Sequence, residues 1–154
     1  MRWHTADFDG LSWHDVHVHG FRIVEGENGT AELQLDIDFI LEWIQDGDGR
    51  FRFRLAQAML QFHEVFGLRF ALDYVACSAG MSAFTIGGIT RVPLRGEDDA
   101  SEDDAGEVMG PWRWRIDVNW PEGFLEFEAT GFSQWLVGEI IEQDGQSLRP
   151  ADRI

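Results

Sequence analysis

His14, His17 and His19 stand close together with Asp15 among them, and Asp36 and Asp38 follow at alternate positions further along the chain. Neutral imidazole and carboxylate are ordinary ligands for zinc and similar metals. On an extended strand His17 and His19 share one face, so their spacing allows joint ligation. The pattern has neither the helical HExxH signature nor paired cysteines. The same groups also support a plainer reading, in which the histidines hydrogen-bond carboxylates across an outer face and their pKa values rise. The expectation is a polar patch of His17, His19, Asp36 and Asp38, with zinc as the possible metal. No other cofactor is expected.

Catalysis finds less support. Asp36 with Asp38, or His63 with Glu64, supplies the ionisable groups of a general acid–base pair. Neighbouring strand residues point to opposite faces, however, so His63 and Glu64 would not act together. No serine lies in a nucleophile-elbow sequence, and Cys77 has no histidine near it in sequence. Neither a lysine nor a helix start follows Gly80, Gly87 and Gly88, so they make no phosphate-binding loop. No catalytic residue is assigned.

The elements that must position these groups read as strands, because period-two alternation recurs and no window keeps a clean 3.6 repeat. Candidate strands cover His14–Val24, Thr30–Trp43, Phe51–Glu64, Leu68–Ala76, Ala83–Val92, Trp112–Val118 and Phe124–Trp135. In the first hairpin, a three-residue loop Glu27-Asn28-Gly29 with left-handed Gly29 sets Gly26 against Thr30, Ile23 against Leu33 and Phe21 against Leu35. Val16 and Val18 share the opposite parity from Phe21 and Ile23, so a β-bulge is expected at Gly20. Beyond it the register gives Val18–Ile37, Val16–Phe39, His19–Asp36 and His17–Asp38. In the second hairpin, Trp120-Pro121-Glu122-Gly123 suits a type I turn and pairs Val118 with Gly123, Ile116 with Leu125 and Trp114 with Phe127. Arg115 then faces Glu126, and Arg113 faces Glu128. Trp112 and Trp114 fall on the core parity, whereas Trp13, Trp43, Trp120 and Trp135 sit near strand ends, where half-exposed rings line a binding edge.

The charge is one-sided: 28 acidic residues oppose 12 basic ones, all arginine, for a formal net charge of −16. Such a field repels phosphate backbones and anionic lipid, which argues against nucleic acid and membrane surfaces and favours a basic protein partner. Seven acidic residues (97–99, 102–104 and 107) crowd the segment 96–107, which reads as a mobile loop or an acidic docking segment. The tail from Glu139 turns polar, with a short helical turn expected over Val137–Gln143. The lone Cys77 rules out an internal disulfide, and neither a signal peptide nor a membrane span is evident, so a cytoplasmic protein is expected.

The segments WHDVHVHG (Trp13–Gly20), ELQLDIDFILEW (Glu32–Trp43), FHEVFGLRF (Phe62–Phe70) and WRWRIDV through FEATGF (Trp112–Phe132) resemble a family of small bacterial proteins with no assigned activity. The resemblance implies no catalytic residue, cofactor or substrate. In acidity and β content the chain is also similar to immunity proteins that neutralise toxins, a likeness of composition only. The expectation is a single mainly β domain over 1–154, an antiparallel sandwich or partly closed barrel of about seven strands with a short helical element near the C-terminus. Its expected function is that of a non-enzymatic acidic binding module for a protein partner. The alternative is a metal-binding role or metal-dependent enzyme built on the histidine–aspartate patch.

Overall fold

The structure, a computed structural model, describes residues 1–76, 80–94 and 110–154. The acidic segment 96–107 and Cys77 lie outside the described residues. Nine antiparallel strands join in one sheet among those described: β1 (Arg2–His4), β2 (His17–Glu25), β3 (Ala31–Gln45), β4 (Phe51–Leu72), β5 (Phe84–Pro93), β6 (Trp112–Trp120), β7 (Glu122–Ala129), β8 (Gly131–Leu136) and β9 (Ile141–Gln143). Short 3-10 turns cover Thr5–Gly10 and Pro150–Asp152. The fold is mainly β and partly closed, as the alternation predicts.

The long strand β4 organises the sheet. Along one side it pairs with β3 from Phe51 to Val65. Along the other it meets β9 at Phe53–Leu55, β8 at Ala58–His63 and β7 from Phe66 to Leu72. β7 continues through β6 and β5 to β2, which returns to β3, so six strands form a ring of pairings. The thin seam is β2–β5, where only His17–Thr85 and Val18–Phe84 are paired. Two of the expected strands, Phe51–Glu64 and Leu68–Ala76, are therefore one strand ending at Leu72. Glu64 (φ 51°) and Gly67 (φ 64°), both in the left-handed region, bend β4 where a break was expected.

Alternation fills the interior. Leu33, Leu35 and Ile37 of β3, Leu55, Leu60 and Phe62 of β4, Trp114 and Ile116 of β6, and Leu125 and Phe127 of β7 are all fully buried. The Phe62 ring lies 4.7 Å from Phe127 and 5.2 Å from Trp114, both edge-on. The Trp114 indole N–H donates to the Ala129 carbonyl at 3.2 Å, which satisfies the polar end of a buried ring.

Both hairpins keep their expected registers near the turns. Ile23 pairs with Leu33, Phe21 with Leu35, Val18 with Ile37 and His17 with Asp38. In the second hairpin Val118–Gly123, Ile116–Leu125, Trp114–Phe127, Arg115–Glu126 and Arg113–Glu128 all form.

Several details differ. The extra residue of the β2 bulge is His19, so Asp36 faces Gly20 rather than His19. Gly20 does not take a left-handed conformation there. Val16 does not reach Phe39, because its carbonyl accepts from the Ile86 N–H at 2.9 Å and ties the chain to β5 instead. At the second turn the pairing runs one step further, to Asn119–Glu122, leaving only Trp120 and Pro121 in the turn, joined by a cis peptide. The helical turn expected over Val137–Gln143 is absent: Ile141–Gln143 is strand β9, held by β4, and the C-terminal helical element lies at Pro150–Asp152.

Candidate functional site

Two polar clusters stand on the sheet. The first contains the residues singled out in the sequence. Asp38 has no exposed surface, although its strand neighbours Ile37 and Phe39 face the core. It is covered by the C-terminal segment. Its carboxylate accepts from His19 Nε2 at 2.7 Å, Ser147 Oγ at 3.0 Å, the Leu148 N–H at 2.9 Å and the Arg153 guanidinium. Arg153 also reaches Asp36, and the Gln57 amide donates to Asp36 at 3.1 Å while accepting from the Ile154 N–H at 2.8 Å. Burial raises the Asp38 pKa, but the hydrogen bonds from His19 and Leu148 and the charge of Arg153 outweigh it and hold the carboxyl below its ordinary value.

His17 stands apart in chemistry. Burial is the largest influence on its ring and lowers its pKa, overcoming the pull of Asp38, and its Nδ1 is buried without a hydrogen-bond partner. The expected His17–Asp38 pair is a backbone register pair, whereas the side-chain contact belongs to His19. Asp15 turns away to its own partners, accepting from the Asn119 and Gln146 amides at 3.1 and 3.3 Å. Among the described residues no three His, Cys, Asp or Glu side chains gather as a metal-binding group. Asp36 and Asp38 instead share the single guanidinium of Arg153, so a zinc ion on His17, His19, Asp36 and Asp38 would have to displace it.

The second cluster was not legible in the sequence. Across β3, β4 and β8, Glu32, His63 and Ser133 form a continuous relay. His63 Nδ1 lies 2.6 Å from Glu32 Oε2, and His63 Nε2 lies 2.8 Å from Ser133 Oγ. An ionised carboxylate only accepts, so Nδ1 carries a ring proton; in the neutral imidazole Nε2 then accepts and the serine hydroxyl donates. A β-bulge creates the arrangement. Ala31 pairs with Val65 and Leu33 with Phe62, so Glu32 faces both His63 and Glu64. Glu64 takes the left-handed conformation at this point, and its N–H donates to Glu32 Oε1 at 3.2 Å.

The Gln61 amide adds a third bond to Glu32 at 2.7 Å. Burial raises the Glu32 pKa, but the bonds from Gln61, His63 and Glu64 more than offset it and hold the carboxyl below its ordinary value. His4 of β1 stands on the far side of the serine, its Nδ1 3.4 Å from Ser133 Oγ. All three relay residues occupy polar positions of alternating strands, yet only the non-local pairing of β8 with β4 brings them together. That pairing leaves no trace in sequence spacing.

The end-of-strand tryptophans divide. Trp13 is buried and donates to Gln134 at 2.8 Å, so it belongs to the core rather than to a binding edge. Trp43 and Trp120 are exposed. Phe21 and Ile23, expected to face the core, are half-exposed because β2 runs past its last pairing with β5. The Phe21 ring rests 5.1 Å from Phe70, itself partly exposed, and Phe70 lies 6.2 Å from buried Phe84. No helix among the described residues is long and apolar enough to cross a membrane. No protein-family model, curated protein or solved structure matches this chain.

Proposed function

We propose that this chain is an acidic binding module that engages a basic protein partner. The observation that carries the reading is the half-exposed Phe21 and Ile23 on the part of β2 that has run past β5, with the partly exposed Phe70 of β4 against Phe21, in a chain of net charge −16. Aromatic anchors in a partly desolvated setting supply most of the energy of protein association, and surrounding charge sets its rate and specificity. The β2–β3 turn next to these rings carries exposed Glu25 and Glu27. A cytoplasmic setting is part of the same proposal.

The test is to cross-link and identify a partner, purify it, and measure its affinity for the chain across salt concentration and against Phe21→Asp. Saturable binding that weakens with salt and falls at least tenfold in the variant supports the reading. A partner whose affinity ignores both, or no saturable partner at all, overturns it. The metal alternative, zinc on His17, His19, Asp36 and Asp38, has its own assay: metal content, and melting with and without chelator, in the intact chain and in Arg153→Gln.

A further inference from the structure

We propose that Ser133 is an activated nucleophile, with His63 as its general base and Glu32 as the carboxylate that orients that base, giving the chain an acyl-transfer activity toward small esters. This goes beyond partner binding and does not depend on it. The geometry satisfies the two tests of such a relay: the nucleophile lies 2.8 Å from the base, and the base is fixed by a third group at 2.6 Å.

Three further observations point the same way. The carboxylate is itself held by Gln61 and by the Glu64 N–H, so its orientation is over-determined. The bulge that aims His63 at Glu32 keeps a non-glycine residue, Glu64, in the left-handed region, an unfavourable conformation that clusters at functional sites. His4 brings a second ring nitrogen, Nδ1, to 3.4 Å from Oγ, and in the tautomer protonated there it can donate to the carbonyl oxygen of an acyl group on Ser133. The imidazole and the carboxylate are about a third exposed and Ser133 is partly exposed, so the relay lies at the protein surface.

In the first step Ser133 Oγ forms a bond to the ester carbonyl carbon while its proton passes to His63 Nε2. The tetrahedral adduct then collapses: the bond to the leaving oxygen breaks, and His63 returns the proton to that oxygen, releasing the alcohol. Water repeats the sequence on the acyl-serine, giving its proton to Nε2 and freeing the acid as Ser133 is restored. Glu32 supports the imidazolium that forms between the two transfers.

The experiment treats the intact folded chain with a fluorophosphonate probe and with p-nitrophenyl acetate, reading adducts by peptide mapping and nitrophenol release by absorbance. The expected result is one dominant adduct on Ser133, formed by native chain and not by chain unfolded in urea. Nitrophenol release is expected to be lost in Ser133→Ala, slowed roughly 10²-fold or more in His63→Gln, and changed in its pH profile by Glu32→Gln. The native-against-urea comparison keeps the test decisive even where a variant fails to fold. Unlabelled native Ser133, labelling no faster than in urea, or full hydrolysis by a folded Ser133→Ala chain would overturn the proposal.

Discussion

At the scale of single residues, Asp38 shows how a group can look functional in sequence and prove to be a structural anchor. A carboxylate with no exposed surface must be paired and hydrogen-bonded, and here four donors from His19, Ser147, Leu148 and Arg153 converge on it. Removing one member of such an arrangement has unequal effects. Asp38→Ala leaves the nearly buried Arg153 with Asp36 as its one carboxylate partner among the described residues and frees the Ser147–Leu148 segment, and is expected to cost about 3 kcal/mol in urea unfolding. Arg153→Ala leaves the carboxylate with three donors and is expected to cost less than half as much. Equal losses would mean that the ion pair, and not the whole donor set, holds the C-terminal segment. Because the Asp38 pKa is depressed in the fold, its contribution is complete above the ordinary carboxylate pKa and is lost as pH falls through the lowered value. The difference between the variants should therefore shrink in acid.

At the scale of elements, what was legible in the sequence and what was not follow from how local each contact is. The Trp112–Val118 and Leu125–Ala129 alternation pinned the second hairpin residue by residue, down to its Arg113–Glu128 and Arg115–Glu126 ion pairs, each at 3.2 Å. The Phe21–Leu35 and Ile23–Leu33 pairings were equally readable, since a one-residue slip would turn every apolar side chain outward. Parity cannot say which strand becomes a third neighbour. For this reason the exposure of Phe21, the β8–β4 pairing behind the serine relay and the covering of Asp38 by the tail all escaped it. The glycines make the same point. Gly20, expected to be required by a bulge, has open space where a Cβ would sit, whereas a Cβ on Gly123 would collide with the Ala71 carbonyl oxygen of β4. Gly123, a paired residue of β7 rather than part of the turn, is needed for the β7–β4 seam. Gly20→Ala is expected to change stability by less than about 0.5 kcal/mol and Gly123→Ala to lower it by roughly 2 kcal/mol or more, as measured by chemical denaturation. The reverse order would show that the seam between β4 and β7 is looser than the paired backbone at Leu72–Gly123 implies.

At the scale of the whole molecule, a net charge of −16 sets self-repulsion against a set of local attractions. Exposed pairs such as Arg52–Glu142 and Arg54–Glu42 each contribute only about 0–1 kcal/mol, and salt weakens them. The general repulsion among unpaired carboxylates acts over longer distances, and screening reduces it as the Debye length falls from about 30 Å at 0.01 M to about 8 Å at 0.15 M salt. Twenty-eight acidic residues cannot all be matched by twelve arginines, so the repulsive part dominates. The melting temperature is expected to rise by several degrees between 10 and 150 mM sodium chloride, the size of shift that about 1 kcal/mol gives in a domain of this length. A complex with a basic partner must respond in the opposite sense, since the same screening weakens attraction between unlike surfaces. Thermal melts of the free chain and of the complex over one salt series therefore separate the two effects. If the free chain melts lower as salt rises, the ion pairs rather than the excess carboxylates govern its electrostatics, and the acidic surface is less available to a partner than its net charge implies.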